Sequence, residues 1–278
     1  MRLSRLLKDG ISSLPWPLLT RLLALRNVIR AMPDPVLVYQ MSKVGSSTVC
    51  ESLDEKNISN IHVHYINRKS WKSASKMYLN NGKTLPPHFH TGRLLRQWLS
   101  LTERRVRVVT LVRDPIARYV SGAFEVGRLQ GVPTGDVDAS LRVLKDQLAS
   151  PHALNYAYTW FDREIHPLFS VDILDHPFNR EEGFGRITRE DIDILILTLE
   201  QLDELVPTVL SDFVGQPLQL KPDRVRSDEI YAQVKERLQL RECTVRRLYD
   251  HEWMRHFYSA HDIKRFVHRW SKGTERRD

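Results

Sequence analysis

Apolar residues fall in two rhythms along this chain. Three short continuous runs, Val36–Gln40 (VLVYQ), Val106–Val112 (VRVVTLV) and Asp191–Leu199 (DIDILILTL), are rich in β-branched residues and predict buried strands. Ile61–Ile66 (IHVHYI) alternates and predicts a fourth. Between them the spacing turns helical. Helices are predicted over Ser46–Lys56, over Gly92–Leu101 by its Leu94, Leu95, Trp98 and Leu99 stripe, and from Asp114-Pro115 to about Arg128, with proline in the first turn. The polar stretch 67–84 is read as a surface excursion, Leu85–His90 as a short extended segment and 131–138 as a loop. Further helices are predicted over 139–149, 154–165, 202–213, 228–240, 241–257 and 260–271. A Ser259/Asp262 capping box opens the last one.

Strands alternating with helices imply an α/β fold, a parallel sheet with helices on both faces, followed by a helical C-terminal part. Pro33-Asp34-Pro35 divides residues 1–33 from a main domain over 34–278. The first segment carries Arg2, Arg5, Lys8, Arg21, Arg26 and Arg30 against one acid, Asp9, with leucines at helical spacing and Trp16 between Pro15 and Pro17. Two expectations follow. The segment is a pair of amphipathic helices docked on the domain or on a partner, or it is a basic arm lying on an anionic membrane face. No stretch of about 18 apolar residues is present, and there is no uninterrupted apolar core of a signal peptide. The expected location is the cytoplasm, with peripheral contact to the inner membrane face through residues 1–33.

Charge narrows the partners without choosing one. The formal net charge is +8 and the pI about 9.5, which favours nucleotides, acidic glycans, nucleic acid or membrane surfaces. Aromatic and basic residues do not interleave in any nucleic-acid module, so nucleic acid is not expected. Cys50 and Cys243 make neither a disulfide framework nor a zinc pattern, and no metal is expected.

Two segments carry candidate chemistry. Lys43-Val44-Gly45-Ser46-Ser47-Thr48 follows the first predicted strand and opens a helix, where N–H groups and the helix dipole favour an anion. Gly45 lets the backbone approach, Ser46, Ser47 and Thr48 add hydroxyls, and Lys43 adds a charge. The nucleotide-hydrolase pattern G-x-x-x-x-G-K-[ST] fails here, because Gln40 stands at its first glycine and Ser46 at its lysine. The second segment is Arg113-Asp114-Pro115 at the end of the strongest strand, with Ser121 eight residues after Arg113. Arg113 and Ser121 can converge on one phosphate, the arginine as a forked, permanently charged donor.

With both motifs in order, the chain resembles sulfotransferases, and among them the bacterial group described as putative capsular polysaccharide synthesis proteins. The resemblance runs from about Val36 to Trp270. It rests on VYQMSKVGSSTV, VTLVRDPIARYVSGAFE, WFDREI (160–165), HPFNREEGF (176–184), LTLEQLDEL (197–205) and the tail over 246–270. It implies a P-loop-like sheet, 3′-phosphoadenosine 5′-phosphosulfate (PAPS) as donor, no metal, and a hydroxyl acceptor, a carbohydrate by the group's description. Lys43–Thr48 would hold the 5′-phosphosulfate and Arg113 with Ser121 the 3′-phosphate.

Sulfuryl transfer then needs a cation for the leaving phosphate, Lys43, and a base for the acceptor proton. His90 is the first candidate, by its position before the Arg113 strand, which is similar to that of the catalytic histidine in cytosolic sulfotransferases. His88, His64 and Glu125 are the alternatives. Two other functions fit the same motifs: a nucleotide or sugar kinase, and a non-catalytic phosphate-binding module in polysaccharide synthesis.

Overall fold

A computed structural model describes residues 15–32, 34–125, 131–220 and 229–272. In chain order it contains α1 (Trp16–Ala31), β1 (Val36–Tyr39), α2 (Ser46–Glu55), β2 (Asn60–Val63), α3 (Arg68–Asn80), α4 (Pro87–Leu99), β3 (Val106–Val112), α5 (Pro115–Glu125) and α6 (Val137–Leu148). Short turns of helix, α7 (Asn155–Tyr158), α8 (Trp160–Glu164) and α9 (His166–Phe169), lead to the hairpin β4 (Phe184–Thr188) and β5 (Ile192–Thr198). The C-terminal part contains α10 (Leu202–Leu205), α11 (Ser211–Val214), α12 (Glu229–Arg237), α13 (Glu242–Tyr249), α14 (Glu252–Phe257) and α15 (Ala260–Lys272).

The strands form one sheet in the order β2-β1-β3-β5-β4. The first four are parallel, with Val38 opposite His62 and Val109, and Val109 opposite Leu195. Every residue of β1 and β5 is buried, as is all of β3 except Arg107. Strands this enclosed need helices over both faces, which is why their sequences are continuous apolar runs. The expected all-parallel sheet needs one correction. β4 runs antiparallel to β5, because only Arg189–Asp191 joins them and so short a link cannot carry a parallel crossover. As an edge strand with Arg186 and Thr188 facing out, β4 lacks the apolar signature that marked the others.

Other expectations shift locally. The region 67–84 holds α3, capped by the Asn67 side chain accepting from Lys69 N–H. The segment Leu85–His90 is not extended: α4 starts at Pro87. The helix expected over 241–257 breaks at Asp250 and restarts at Glu252 with His251 as cap. The helix expected over 202–213 passes through a π-turn at Val206–Leu210, where Pro207 lacks an N–H. The Ser259/Asp262 box forms as predicted, each side chain accepting from the other's N–H.

Residues 1–14 and 33 lie outside the described residues. Within α1, Thr20, Ala24, Val28 and Ala31 are buried, and the helix packs against α4. This half of the expected arm is therefore docked on the domain. No described helix is long and apolar enough to cross a membrane. Cys50 is half-buried, its thiol pushed up to about 12 by burial and nearby acids, while Cys243 is exposed.

Candidate functional site

The loop from β1 to α2 is bent by two left-handed residues, Lys43 (φ 70°) and Gly45 (φ 94°). A Cβ on Gly45 would stand 2.5 Å from Leu199 Cδ1, so glycine serves both the backbone angle and the close packing. Val44, Ser46 and Thr48 are buried, and Ser47 is exposed. The first turn of α2 lacks carbonyls four residues back, which leaves its N–H groups to a cap or a ligand. Arg113, just past the end of β3, donates from Nη1 to the Lys43 carbonyl oxygen at 2.9 Å. The two segments picked out in the sequence therefore meet.

On the Arg113 side, residues from distant parts of the chain join in. Tyr231 of α12 hydrogen-bonds Ser121 and Arg113. Burial alone would raise its phenol pKa, but these bonds and the charges of Arg113 and Lys235 outweigh it and lower the value. Lys235 is itself lowered by burial and by the charges of Arg269 and Arg113, partly offset by Tyr231. A lysine depressed by two neighbouring arginines sits in a cluster of positive charge that suits an anion of more than one charge. Tyr231, Lys235 and Arg269 carried no signal in the sequence, because no motif spacing links α12 and α15 to Arg113.

The other side of the loop opens on a cavity of about 320 Å³. Lys43, His64, His88 and Glu125 all line it. The Lys43 ammonium lies 2.5 Å from Glu125 Oε2. Arg118, Gly122 and Glu125 share one stripe of α5 and face the same space. Tyr65, Tyr78, Tyr156 and Trp160 contribute the aromatic wall. The stripe could have been read from the sequence as polar positions on an apolar helix, and Arg118 was missed there.

The histidine candidates separate clearly. His64 Nδ1 lies 2.8 Å from the Gln40 carbonyl oxygen, which fixes that nitrogen as donor and leaves the lone pair on Nε2. Burial, then His62, brings His64 down to about 3. His88 is lowered to about 4 by burial and by His64, whose ring centre is 5.6 Å away. His90 does not line the cavity. On a helix, two residues apart means nearly opposite faces, and His90 is lowered by burial and by Arg21 of α1 and Arg93. The extended segment expected over Leu85–His90 would have put both histidines on one face; the helical conformation found there separates them.

Glu164, also missed from the sequence, organises the segment bearing His64. Its Oε2 accepts from Tyr39 Oη and from the N–H groups of Ile66 at 2.9 Å and Asn67 at 3.0 Å. Arg96 holds the Ile66 carbonyl at 3.0 Å. A Cβ on Gly92 would fall 1.9 Å from the Tyr65 carbonyl oxygen, so α4 can approach this segment only through glycine. Among the described residues, no group of three or more His, Cys, Asp or Glu side chains could hold a metal ion.

Comparison with known proteins gives one finding. Residues 136–259 match the family described as putative capsular polysaccharide synthesis protein. The matched stretch contributes Tyr156, Trp160, Arg163 and Glu164 to the cavity and Tyr231 to the Arg113 cluster, and it starts after both loop segments. No curated protein and no solved structure matches the chain.

Proposed function

We propose that this protein is a sulfotransferase that takes the sulfuryl group from PAPS and passes it to a carbohydrate hydroxyl held in the cavity. One observation carries the reading. Lys43 stands between the Arg113 cluster and the cavity, its carbonyl held by Arg113 and its side chain lining the cavity with Glu125. The β1–α2 loop acts as a P-loop-like cradle for the 5′-phosphosulfate. Arg113, Ser121, Tyr231, Lys235 and Arg269 take the 3′-phosphate. The carbohydrate acceptor is supported by the description of the family that matches residues 136–259.

In the transfer, the acceptor oxygen forms a bond to sulfur while the bond from sulfur to the bridging phosphate oxygen breaks. Charge grows on the leaving phosphate, and Lys43 stabilises it after exchanging Glu125 for the donor. His64 accepts the acceptor proton on Nε2. Its lowered pKa keeps it neutral at physiological pH, and the bound anionic donor raises that pKa toward the working range. His88 and Glu125 remain beside it as the other groups able to take the proton, while His90 is given no role.

Calorimetry with 3′-phosphoadenosine 5′-phosphate (PAP) and ATP tests the reading. PAP should bind more tightly than ATP, and without magnesium. Equal or tighter ATP binding, or a strict magnesium requirement, would favour a kinase. PAP binding without turnover of any hydroxyl acceptor would favour a binding module.

A further inference from the structure

Among the described residues, Arg118 is a buried cation with no counter-charge. It is 8% exposed and lines the cavity. Its Nε donates to the Ser42 carbonyl oxygen at 3.2 Å, and its guanidinium carbon sits 4.3 Å from the centre of the Tyr156 ring. Among the described residues its two terminal nitrogens have no hydrogen-bond partner, and no carboxylate comes within ion-pair distance. The ionisable groups that act on it most are Tyr156, Tyr65, Arg113 and Tyr119. Arg163, also on the cavity, lies 5.5 Å over the same Tyr156 ring, and it too has no carboxylate partner among the described residues. The contrast with the rest of the cavity is sharp: Lys43 is paired with Glu125, and Glu164 Oε2 is engaged by three donors.

A charge removed from water without a partner is costly, so proteins pair such groups. Gly122 keeps the open side of this one clear. A Cβ there would stand 3.2 Å from Arg118 Nη2 and 3.9 Å from Lys43 Cγ. The guanidinium is thus held by its Nε and by its stacked face, with its terminal nitrogens unpartnered among the described residues. A fork held this way matches a carboxylate or phosphate edge.

We propose that Arg118 recognises an anionic oxo group on the acceptor, so that the acceptor is an acidic sugar bearing a carboxylate or a phosphate, with Arg163 adding to the attraction. This rests on the reading of the cavity as the acceptor site. The donor's own charges are met by Lys43 and by the Arg113 cluster.

Saturation-transfer NMR on the full chain can test this with four probes: glucuronate, glucose 1-phosphate, glucose and the methyl ester of glucuronate. One or both acidic sugars should bind about ten- to hundredfold more tightly than glucose and the ester, the range of a charge-assisted hydrogen bond. The carboxylate and phosphate arms show which anion is preferred. Arg118→Gln should abolish the preference, and Arg118→Lys should retain part of it. The comparison of acid with ester in the unaltered protein decides the matter even where a variant does not fold. Equal binding of acid and ester, no binding of either acidic sugar at millimolar concentration, or a preference that survives in a folded Arg118→Gln would each overturn it. So would loss of PAP affinity in Arg118→Gln, which would assign the guanidinium to the donor. A parallel PAP titration of the unaltered protein separates the two ideas. PAP binding without an acidic-sugar preference overturns this inference alone, whereas the preference without PAP binding overturns the sulfotransferase reading alone.

Discussion

Trp270 donates from its indole nitrogen to Asp114 Oδ2 at 2.7 Å, joining the last described helix to the residue that follows Arg113. The other oxygen, Oδ1, accepts from Tyr249 Oη at 2.6 Å and from the Ile116 N–H at 3.0 Å. Asp114 N–H in turn donates to Glu200, which also accepts from Tyr258. The carboxylate is 1% exposed, so it does not touch a ligand; it ties the C-terminal helices to the strand end that presents Arg113. Trp270→Phe should keep the packing and leave the carboxylate one donor short. Destabilisation by about 1–3 kcal/mol is expected in chemical denaturation. A variant as stable as the parent would show that the contact is dispensable.

Arg113 and Lys43 should fail differently. Arg113→Ala removes a charged donor and the hydrogen bond that holds the Lys43 carbonyl, and it should weaken PAP binding by about 2–5 kcal/mol. Lys43→Ala should reduce turnover far more than PAP affinity, because the ammonium matters most as charge builds on the leaving phosphate. Titration calorimetry beside single-turnover rates makes the comparison, and intact turnover in Lys43→Ala rejects its role.

Among the histidines, His64→Ala should lower turnover by roughly 10²–10⁴-fold with donor affinity kept. His90→Ala should stay close to the parent, since His90 does not line the cavity. The reverse result would return the base to α4.

Stability should fall on acidification. His62, His64 and His88 are lowered to about 4, 3 and 4, each chiefly by burial. Unfolded histidines titrate near 6.5, so between about 6.5 and 4 the unfolded chain binds more protons than the folded one. The stabilisation from keeping these rings neutral is complete above that window and shrinks as pH drops through it. Thermal midpoints across this range should decline steeply, and less steeply for His62→Phe, which removes one titrating ring. An identical slope in the variant would count against the assignment.

The outer face of α1 predicts a membrane contact. Leu18, Leu22, Leu25 and Ile29 form an exposed stripe, 40–62% accessible, with Arg21 and Arg26 at its two flanks and no acid in the helix. Such a helix suits the surface of an anionic bilayer, with arginines reaching the headgroups. Co-sedimentation with phosphatidylserine vesicles should exceed that with phosphatidylcholine vesicles and weaken with salt. A Leu22→Gln/Ile29→Gln variant should lose it while melting normally, since both side chains are exposed. Equal pelleting with both vesicle types would remove the idea. Deleting the whole segment is a poorer test, because Ala24 and Val28 belong to the buried face against α4.

Features that depend on neighbours along the chain were legible in the sequence. β1, β3 and β5 are continuous apolar runs because both of their faces are covered, and Lys43–Thr48, Arg113 and Ser121 follow from where those strands stop and helices start. Features that depend on which surfaces meet were not legible. Whether the chain entering α4 is extended or helical turns on packing, and that choice put His88 on the cavity and His90 on the α1 side. The antiparallel β4, with Arg186 pairing Asp193 of β5, has too few apolar residues to announce itself. Glu164, Tyr231, Lys235 and Arg269 reach the site from segments far along the chain, where a single polar residue looks like any other. Arg118 stood in plain view inside a motif, but whether a counter-charge lies beside it is a property of its surroundings in space, and only the tertiary structure supplies those.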